Sequence, residues 1–263
     1  MKKSESARRN FIKASAVGLS SLVISPANAG IIGEEAFRKN TSDSTKLKIV
    51  CVGAHPGDPE FGCGGTMAKY SDAGHAVTFL YITRGEASDR SKTHEEMAKL
   101  RTAEASVSCK ILDATPAFFG QVDGNTVLNN DENDKMTKMI LDLNPDIVFT
   151  QWPVDGHSDH QVTGMLPFTA WVRSNRKFHL YFYEVNTGSE TMCFTPTDYV
   201  DITDVRERKQ QAMFAHKTQD PVKTYNDYFK PLEEFRGLEA GVKAAEAFIH
   251  FKSTTDRATM IGL

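Results

Sequence analysis

Short apolar segments alternate with segments of helical periodicity along most of this chain, and this alternation is the feature that most restricts its fold. Residues 47–54 (LKIVCVGA) and 76–83 (AVTFLYIT) are apolar runs rich in β-branched and aromatic residues, as expected for buried strands. A helix predicted for residues 62–73 lies between them and ends before Gly74. A strand, a helix and a second strand in this order form the unit from which parallel sheets are built.

The alternation continues towards the C-terminus without a repeat or a low-complexity linker. Further strands are predicted at residues 146–151 and 178–185, and further helices at residues 93–106, 134–143, 160–175, 204–216 and 237–250. The sequence therefore predicts a single α/β domain over residues 47–263. We expect a doubly wound, mostly parallel sheet with helices on both faces.

Composition excludes several other classes of protein. Hydrophobic residues make up 40% of the chain and charged residues 25%, as in ordinary globular domains. The formal net charge of −3 provides no basic field that would attract nucleic acid, so no nucleic-acid partner is predicted. The four cysteines form no CxxC pair, which excludes a zinc ribbon and a thioredoxin motif. The sequence does not decide whether Cys51 and Cys63 form a disulfide.

The first 29 residues have the pattern of an export signal. Five basic side chains and one acidic one precede or flank an apolar run at residues 14–24, and Ala27-Asn28-Ala29 fits a small-x-small cleavage site. The apolar run is too short to span a bilayer, and no later segment is long enough to anchor the mature chain. We expect residues 30–46 to form a linker and the protein to be exported, to the periplasm or the extracellular space.

Two adjacent arginines favour the twin-arginine export route over the ordinary secretory route. Arg8 and Arg9 are followed by Phe11, Ile12 and Lys13, which resembles the twin-arginine signal. An ordinary secretory signal with neighbouring arginines is the alternative.

A first cluster of chemically active side chains follows the first predicted strand. His55 and Asp58 lie three residues apart in a turn that contains two prolines, at the carboxyl end of the strand where ligands bind in open parallel sheets. A histidine and a carboxylate at this spacing can bind one metal ion. The glycines at 62, 64 and 65 do not complete a GxGxxG motif, because residue 67 is methionine, and no P-loop follows. A nucleotide-dependent Rossmann enzyme is therefore disfavoured.

A second cluster follows the predicted strand at residues 146–151. Asp155, His157, Asp159 and His160 lie within six residues, again at the exit of a strand. His160 can supply a third metal ligand, His157 need not bind the metal, and Asp159 can orient a histidine ring. Two histidines and one carboxylate with an open position describe a hydrolytic zinc site.

These two motifs resemble those of the PIG-L (LmbE-like) de-N-acetylase family. The first motif is AHPGDPEFGCGGT at residues 54–66, and the second is HSDH at residues 157–160. Weaker similarities are TRGE at residues 83–86, Arg101 with Glu104, GQVDG at residues 120–124, HKTQ at residues 216–219 and EAF at residues 246–248. The resemblance covers about residues 47–250.

The resemblance implies a Rossmann-like fold and the zinc-dependent removal of an N-acetyl group from an amino sugar or a related glycan metabolite. It also implies a role for each matching residue: His55, Asp58 and His160 as metal ligands; His157 as the histidine that assists the transition state, with Asp159 orienting or tuning it; Arg84, Glu86 and Arg101 as substrate contacts. We expect one Zn²⁺ per chain, although iron or nickel would also suit two imidazoles and a carboxylate. For Arg101, an ion pair with Glu104 one helical turn away is the alternative.

One residue departs from the family pattern. Where the family has its general-base aspartate, this chain has Gly57. Such a base contributes about 10²–10⁴ in rate. Asp155 or Glu60 could act as a substitute base, or zinc alone could activate water. Otherwise the protein would be a non-catalytic, metal-dependent sugar-binding homologue.

The signal sequence yields a prediction about export. Replacing Arg8 and Arg9 with lysine should retain the precursor in the cytoplasm, because the twin-arginine pathway requires the arginine pair. Cell fractionation followed by immunoblotting measures the distribution. Export of the Lys-Lys precursor at the normal level would instead indicate the ordinary secretory route.

Overall fold

A computed structural model describes residues 46–252 of the chain. The expected export signal, nearly all of the expected linker and residues 253–263 lie outside the described residues. The residues from 46 to 252 belong to one compact unit. Within this range, no helix is both long enough and apolar enough to cross a membrane.

Seven strands form one sheet in the order β3-β2-β1-β4-β5-β7-β6. The strands are β1 (Lys48–Gly53), β2 (Ala76–Tyr81), β3 (Ala114–Phe118), β4 (Ile147–Gln151), β5 (His179–Tyr183), β6 (Asp198–Asp201) and β7 (Ala245–Phe251). The first five strands pair in parallel, whereas β7 is antiparallel to both of its neighbours. The mostly parallel α/β sheet predicted from the sequence is confirmed.

Helices cover both faces of this sheet. They are α1 (Asp58–Asp72), α2 (His94–Ile111), α3 (Asn130–Leu143), α4 (Ser158–Arg173), α5 (Arg206–Phe214), α6 (Pro221–Thr224) and α7 (Lys230–Ala240), with a 3₁₀ turn at Lys217–Gln219 and a π-helical turn at Tyr225–Phe229. Side chains of β1 alternate between two apolar cores. Ile49 and Cys51 pack towards α1, α2 and α5, whereas Val50 and Val52 pack towards α3 and α4.

The helix predicted for residues 237–250 is wrong. Helix α7 ends at Ala240, where Gly241 adopts a left-handed conformation (φ 74°) that commonly terminates helices. The residues that follow form β7, which pairs with β5 and β6. The alanines and glutamate of this segment favour a helix locally, but pairing between two strands overrides that preference.

Two further strands were not predicted, and helices α1, α3 and α4 begin two to four residues earlier than expected. Strand β3 contains Pro116, which discourages a strand assignment, but β3 lies at the sheet edge, where the missing N–H is tolerated. Strand β6 is four residues long and lies at the opposite edge. Helix α1 begins at Asp58 rather than at residue 62, with Pro59 in its first turn, so Asp58 is fixed by the helix.

Close packing and a buried ion pair hold α1 against the sheet. A Cβ at Gly62 would come within 2.4 Å of the Tyr183 ring, so this side of the helix must carry glycine. Glu246 of β7 accepts hydrogen bonds from the Gly65 and Thr66 N–H groups (2.9 and 2.7 Å). The same carboxylate binds Nζ of the buried Lys209 at 2.7 Å. These contacts fix the helix that carries Asp58.

Candidate active site at the ends of β1 and β4

Two neighbouring parallel strands position the two motifs at the same edge of the sheet. Strands β1 and β4 pair in register, with Cys51 opposite Phe149, so their carboxyl ends lie at the same edge of the sheet. His55 follows β1, and Asp58 is the first residue of α1. His160 lies in the first turn of α4, which follows β4. Motifs about a hundred residues apart in sequence therefore meet at one site.

The structure brings His55, Asp58 and His160 together. One ligand atom from each lies within 4.8 Å of the other two, and all three side chains are buried. Asp58 Oδ2 is 3.2 Å from His55 Nδ1 and 3.5 Å from His160 Nε2. Two imidazoles and one carboxylate arranged around a common point form a donor set that fits a tetrahedral zinc ion with one position open.

The charge of the site favours a cation. Burial opposes ionisation of Asp58, but the nearby charges of His160 and His55 hold the pKa of its carboxyl far below the usual range. Burial lowers the pKa of His55, yet Asp58, Asp123 and Asp159 together raise that pKa well above its usual value. Carboxylates thus outweigh burial, and a divalent ion would take the place of the protons held by the histidines.

Each of the two candidate histidine ligands has a carboxylate on its other nitrogen. His160 Nδ1 is 3.2 Å from Asp155 Oδ1, and Asp155 Oδ2 accepts a hydrogen bond from the Thr191 hydroxyl (2.9 Å). His55 Nε2 is 3.2 Å from Asp159 Oδ2. Carboxylates in such positions set the tautomer and the orientation of metal-binding histidines.

Further contacts bear on the expected roles of two aspartates. The resemblance implied that Asp159 orients or tunes His157, and the Asp159 backbone N–H does donate to His157 Nδ1 (3.2 Å). The Asp159 carboxylate, by contrast, contacts His55 and accepts hydrogen bonds from the Gly124 N–H and the Thr126 hydroxyl, both at 2.7 Å. Asp155, a candidate substitute base, is 3% exposed and lies behind His160, outside the cavity wall.

His157 lies next to His55 and His160 but is not one of the three expected metal ligands. Its ring stacks on His160 at a centroid distance of 4.6 Å and lies edge-on to His55 at 5.0 Å. Nδ1 accepts a hydrogen bond from the Asp159 backbone N–H (3.2 Å), which caps helix α4. Burial and the two neighbouring histidines lower the pKa of His157. The neutral ring therefore carries its proton on Nε2 and can donate it in a hydrogen bond.

Gly57 occupies a backbone conformation that suits glycine. Its φ of 113° lies in the region that L-residues rarely adopt, and a Cβ there would come within 2.8 Å of Gln219 Nε2. That amide donates to the Pro56 carbonyl (2.7 Å), as does Arg101 Nη2 (2.7 Å). An aspartate at position 57 would be strained and would have to displace Gln219 from this bond.

The other candidate substitute base, Glu60, is fully buried beneath the turn. One carboxylate oxygen accepts a hydrogen bond from the Gly57 N–H (3.1 Å). The other accepts one from the Tyr81 hydroxyl (2.7 Å) and lies 3.0 Å from His216 Nε2. Glu60 therefore stabilises the turn that carries the first motif and does not line the cavity.

The three expected substrate contacts have different positions. Arg101 is buried in the cavity wall, where its Nη1 donates to the Gly85 carbonyl (3.2 Å), while Glu104 accepts hydrogen bonds from Thr218 instead of pairing closely with Arg101. Arg84 and Glu86 do not line the cavity. The Glu86 carboxylate accepts a hydrogen bond from the Arg84 backbone N–H (2.9 Å), which closes the turn locally.

The cavity above the ligand set has a volume of about 460 Å³, enough for a sugar. Its wall includes residues outside the two motifs. Asp123 Oδ1 is 3.1 Å from His55 Nε2, and Asp123 Oδ2 accepts a hydrogen bond from the Ala87 N–H (2.9 Å). Glu190 Oε2 is 4.0 Å from His160 Nδ1. Asp123 lies in the GQVDG segment, which was the only sequence signal for it, and Glu190 had none.

Comparisons with known proteins test the family resemblance of the two motifs. A family model described as PIG-L: GlcNAc-PI de-N-acetylase matches residues 50–171, which include both motifs. Residues 50–171 are therefore similar to the PIG-L family domain. The recognition made from the AHPGDPE and HSDH motifs is thereby confirmed.

Proteins similar to this chain include named deacetylases. A diacetylchitobiose deacetylase of Thermococcus kodakarensis is 26% identical over 239 residues, which are 84% of this chain and 89% of the relative. A probable N-acetyl-alpha-D-glucosaminyl L-malate deacetylase 2 of Bacillus subtilis is 25% identical, over 66% of this chain and 84% of the relative. The structure of the N,N'-diacetylchitobiose deacetylase from Pyrococcus horikoshii superposes with a TM-score of 0.70 at 25% identity, covering 85% of this chain and 94% of that one.

Gln151, at the end of β4, links the two motifs directly. Its Oε1 accepts a hydrogen bond from the Ala54 N–H (2.8 Å), and its Nε2 donates to Asp58 Oδ2 (3.3 Å). We expect Gln151→Met, which removes both bonds at similar volume, to weaken zinc binding by about 10–100-fold, as is usual for partners of metal ligands.

Calorimetric titration of the zinc-free protein with zinc measures this effect. The matched control is Gln211→Met, because Gln211 is exposed on α5. Circular dichroism establishes that both variants are folded. An unchanged zinc affinity in folded Gln151→Met protein would contradict a supporting role for this amide.

Proposed function

We propose that this protein is a zinc-dependent hydrolase that removes the N-acetyl group from an amino sugar or a related glycan. The observation that carries the proposal is the convergence of His55, Asp58 and His160 beside a cavity of sugar size. The deacetylase relatives support the reaction class. A zinc ion bound by this set would polarise the acetamide carbonyl and increase the acidity of water.

His157 would assist the transition state as a hydrogen-bond donor. Because its Nδ1 is occupied by the Asp159 N–H, the neutral ring offers Nε2–H towards the cavity. A donor in this position would stabilise negative charge developing on the acetamide oxygen, an effect of about 2.7–4 kcal/mol in comparable sites. Arg101 would hold the cavity wall in place through the Pro56 and Gly85 carbonyls.

Asp123 is the carboxylate that we propose as proton acceptor in place of an aspartate at position 57. Glu60 and Asp155 are enclosed by other partners, whereas Asp123 lines the cavity. One of its oxygens is fixed by the Ala87 N–H, and the other faces His55. A fixed carboxylate beside the ligand set has the position that a general base requires.

We also propose that the protein acts outside the cytoplasm, on the strength of residues 1–29. Its substrate would then be an exported or extracellular acetamido sugar. A protein that folds and takes up its metal before crossing the membrane by the twin-arginine route would arrive with a filled site.

Acetate release from N,N'-diacetylchitobiose tests the reaction. We expect turnover by zinc-loaded protein, loss of turnover after treatment with a chelator and recovery when zinc is returned. His55→Ala and His160→Ala should each lose most of the bound zinc, because two of the three ligands cannot hold it tightly. His94→Ala, at the exposed start of α2, is the matched control. Binding of zinc and sugar without acetate release would favour the non-catalytic binding protein instead.

Asp123→Asn tests the proposed base. We expect kcat to fall by about 10²-fold or more, because the amide cannot accept the proton, while zinc content stays normal. The acidic limb of the pH–rate profile should also change. Asp113→Asn is the control, since Asp113 is exposed and its left-handed backbone (φ 54°) suits asparagine. Wild-type kcat in Asp123→Asn would show that water is activated without this carboxylate.

A further inference from the structure

The cavity wall carries more acidic than basic side chains. Besides Asp58, the described residues that line the cavity include two carboxylates, Asp123 and Glu190, and a single arginine or lysine, Arg101. Both terminal nitrogens of Arg101 donate to backbone carbonyls. Arg101 as a whole is only 4% exposed, so its guanidinium is already engaged within the wall. Away from the proposed zinc ion, an anionic group of a substrate would meet carboxylates, and no arginine or lysine of the described lining is free to pair with it.

Glu190 is the carboxylate nearest to solvent among these. Its side chain is 34% exposed, compared with 10% for Asp58 and for Asp123. It therefore lies at the mouth of the cavity, where the part of a substrate that is not being hydrolysed would pass.

The loop that carries Glu190 is fixed to the site. The Gly156 N–H donates to the Glu190 carbonyl (2.9 Å), and Asp155 pairs with Thr191 as an isolated β-bridge. Asn186 Nδ2 donates to Glu190 Oε2 at 3.1 Å. A carboxylate held in this way keeps its position when a substrate binds. Its negative charge therefore repels an anionic substrate, because the side chain does not move away to reduce the repulsion.

We propose that the site selects acetamido sugars whose remaining part is neutral or cationic, and discriminates against those whose remaining part carries carboxylates or phosphate, with Glu190 as the determinant. This inference rests on the proposed deacetylase function and narrows its substrate class. It separates the two kinds of substrate named for the relatives, since the second sugar of diacetylchitobiose is neutral whereas a malate conjugate carries two carboxylates. Like charges placed against each other are an effective means of excluding a wrong ligand.

Three substrates of graded charge test the proposal on zinc-loaded protein. They are N,N'-diacetylchitobiose, the same disaccharide with one free amine, and N-acetylglucosaminyl malate. We expect kcat/KM to be lowest for the malate conjugate. Glu190→Lys should raise the ratio of kcat/KM for malate conjugate to that for diacetylchitobiose by about tenfold, because reversing one charge near a substrate carboxylate changes the interaction by about 1–2 kcal/mol.

Glu207→Lys is the matched control, because Glu207 is exposed on α5 and does not line the cavity. It introduces the same change in total charge, so any effect of net charge alone appears in both variants. The shift in Glu190→Lys should shrink as the salt concentration rises, which a purely structural effect would not do.

The outcomes separate this inference from the proposed function. Deacetylation with preference for the malate conjugate, or a substrate ratio that Glu190→Lys leaves unchanged, would overturn the charge selection while the deacetylase function stands. If none of the three sugars releases acetate, the proposed function fails for this substrate class. In that case, calorimetry still tests the charge preference by measuring the affinity of the zinc-loaded protein for each of the three sugars. The proposal is supported if the malate conjugate binds most weakly.

Discussion

The parallel pairing of β1 with β4 is the constraint on which the site depends. It places the ends of two strands side by side, so that one histidine and one aspartate from the first motif meet a histidine from the second. The Gln151 amide connects these ends, accepting from Ala54 and donating to Asp58. Helix α1 then holds Asp58 from the other side through its close contact with the sheet. A shift of either strand by one residue would turn these side chains away from one another.

Charge balance accounts for the composition of the site. Two histidines each lie between the shared Asp58 carboxylate and a carboxylate behind them, Asp159 or Asp155. Such an excess of negative charge in a buried place is costly unless cations neutralise it. Protonated histidines or a divalent metal ion would both serve, and the metal would leave the imidazoles neutral. The same excess continues to the cavity wall through Asp123 and Glu190, which is why the site is unsuited to an anionic substrate.

Most of the fold could be predicted from the chain because buried parallel strands have a strong local signal. The runs around Val50, Leu80 and Val148 are apolar on both faces, as the two cores require. The secondary-structure predictions failed where the position of a segment in the sheet outweighs the local preference of its residues. Strand β7 has a helix-favouring composition at its start, and it becomes a strand because β5 and β6 offer unpaired backbone groups on either side. Strand β3 accommodates Pro116 only because it lies at an edge.

The sequence by itself determined which residue types occur at the ends of β1 and β4, because contiguous motifs such as AHPGDPE and HSDH are local. It also showed that position 57 lacks a carboxylate. Only the tertiary structure decided that the Asp159 carboxylate lies against His55, that Asp155 lies behind His160, and that Asp123 and Glu190 reach the cavity. It also showed that Gly57 has a positive φ, which glycine adopts without strain. These facts depend on side chains and turns placed by packing between segments distant in sequence, and spacing within one segment carries no information about such contacts.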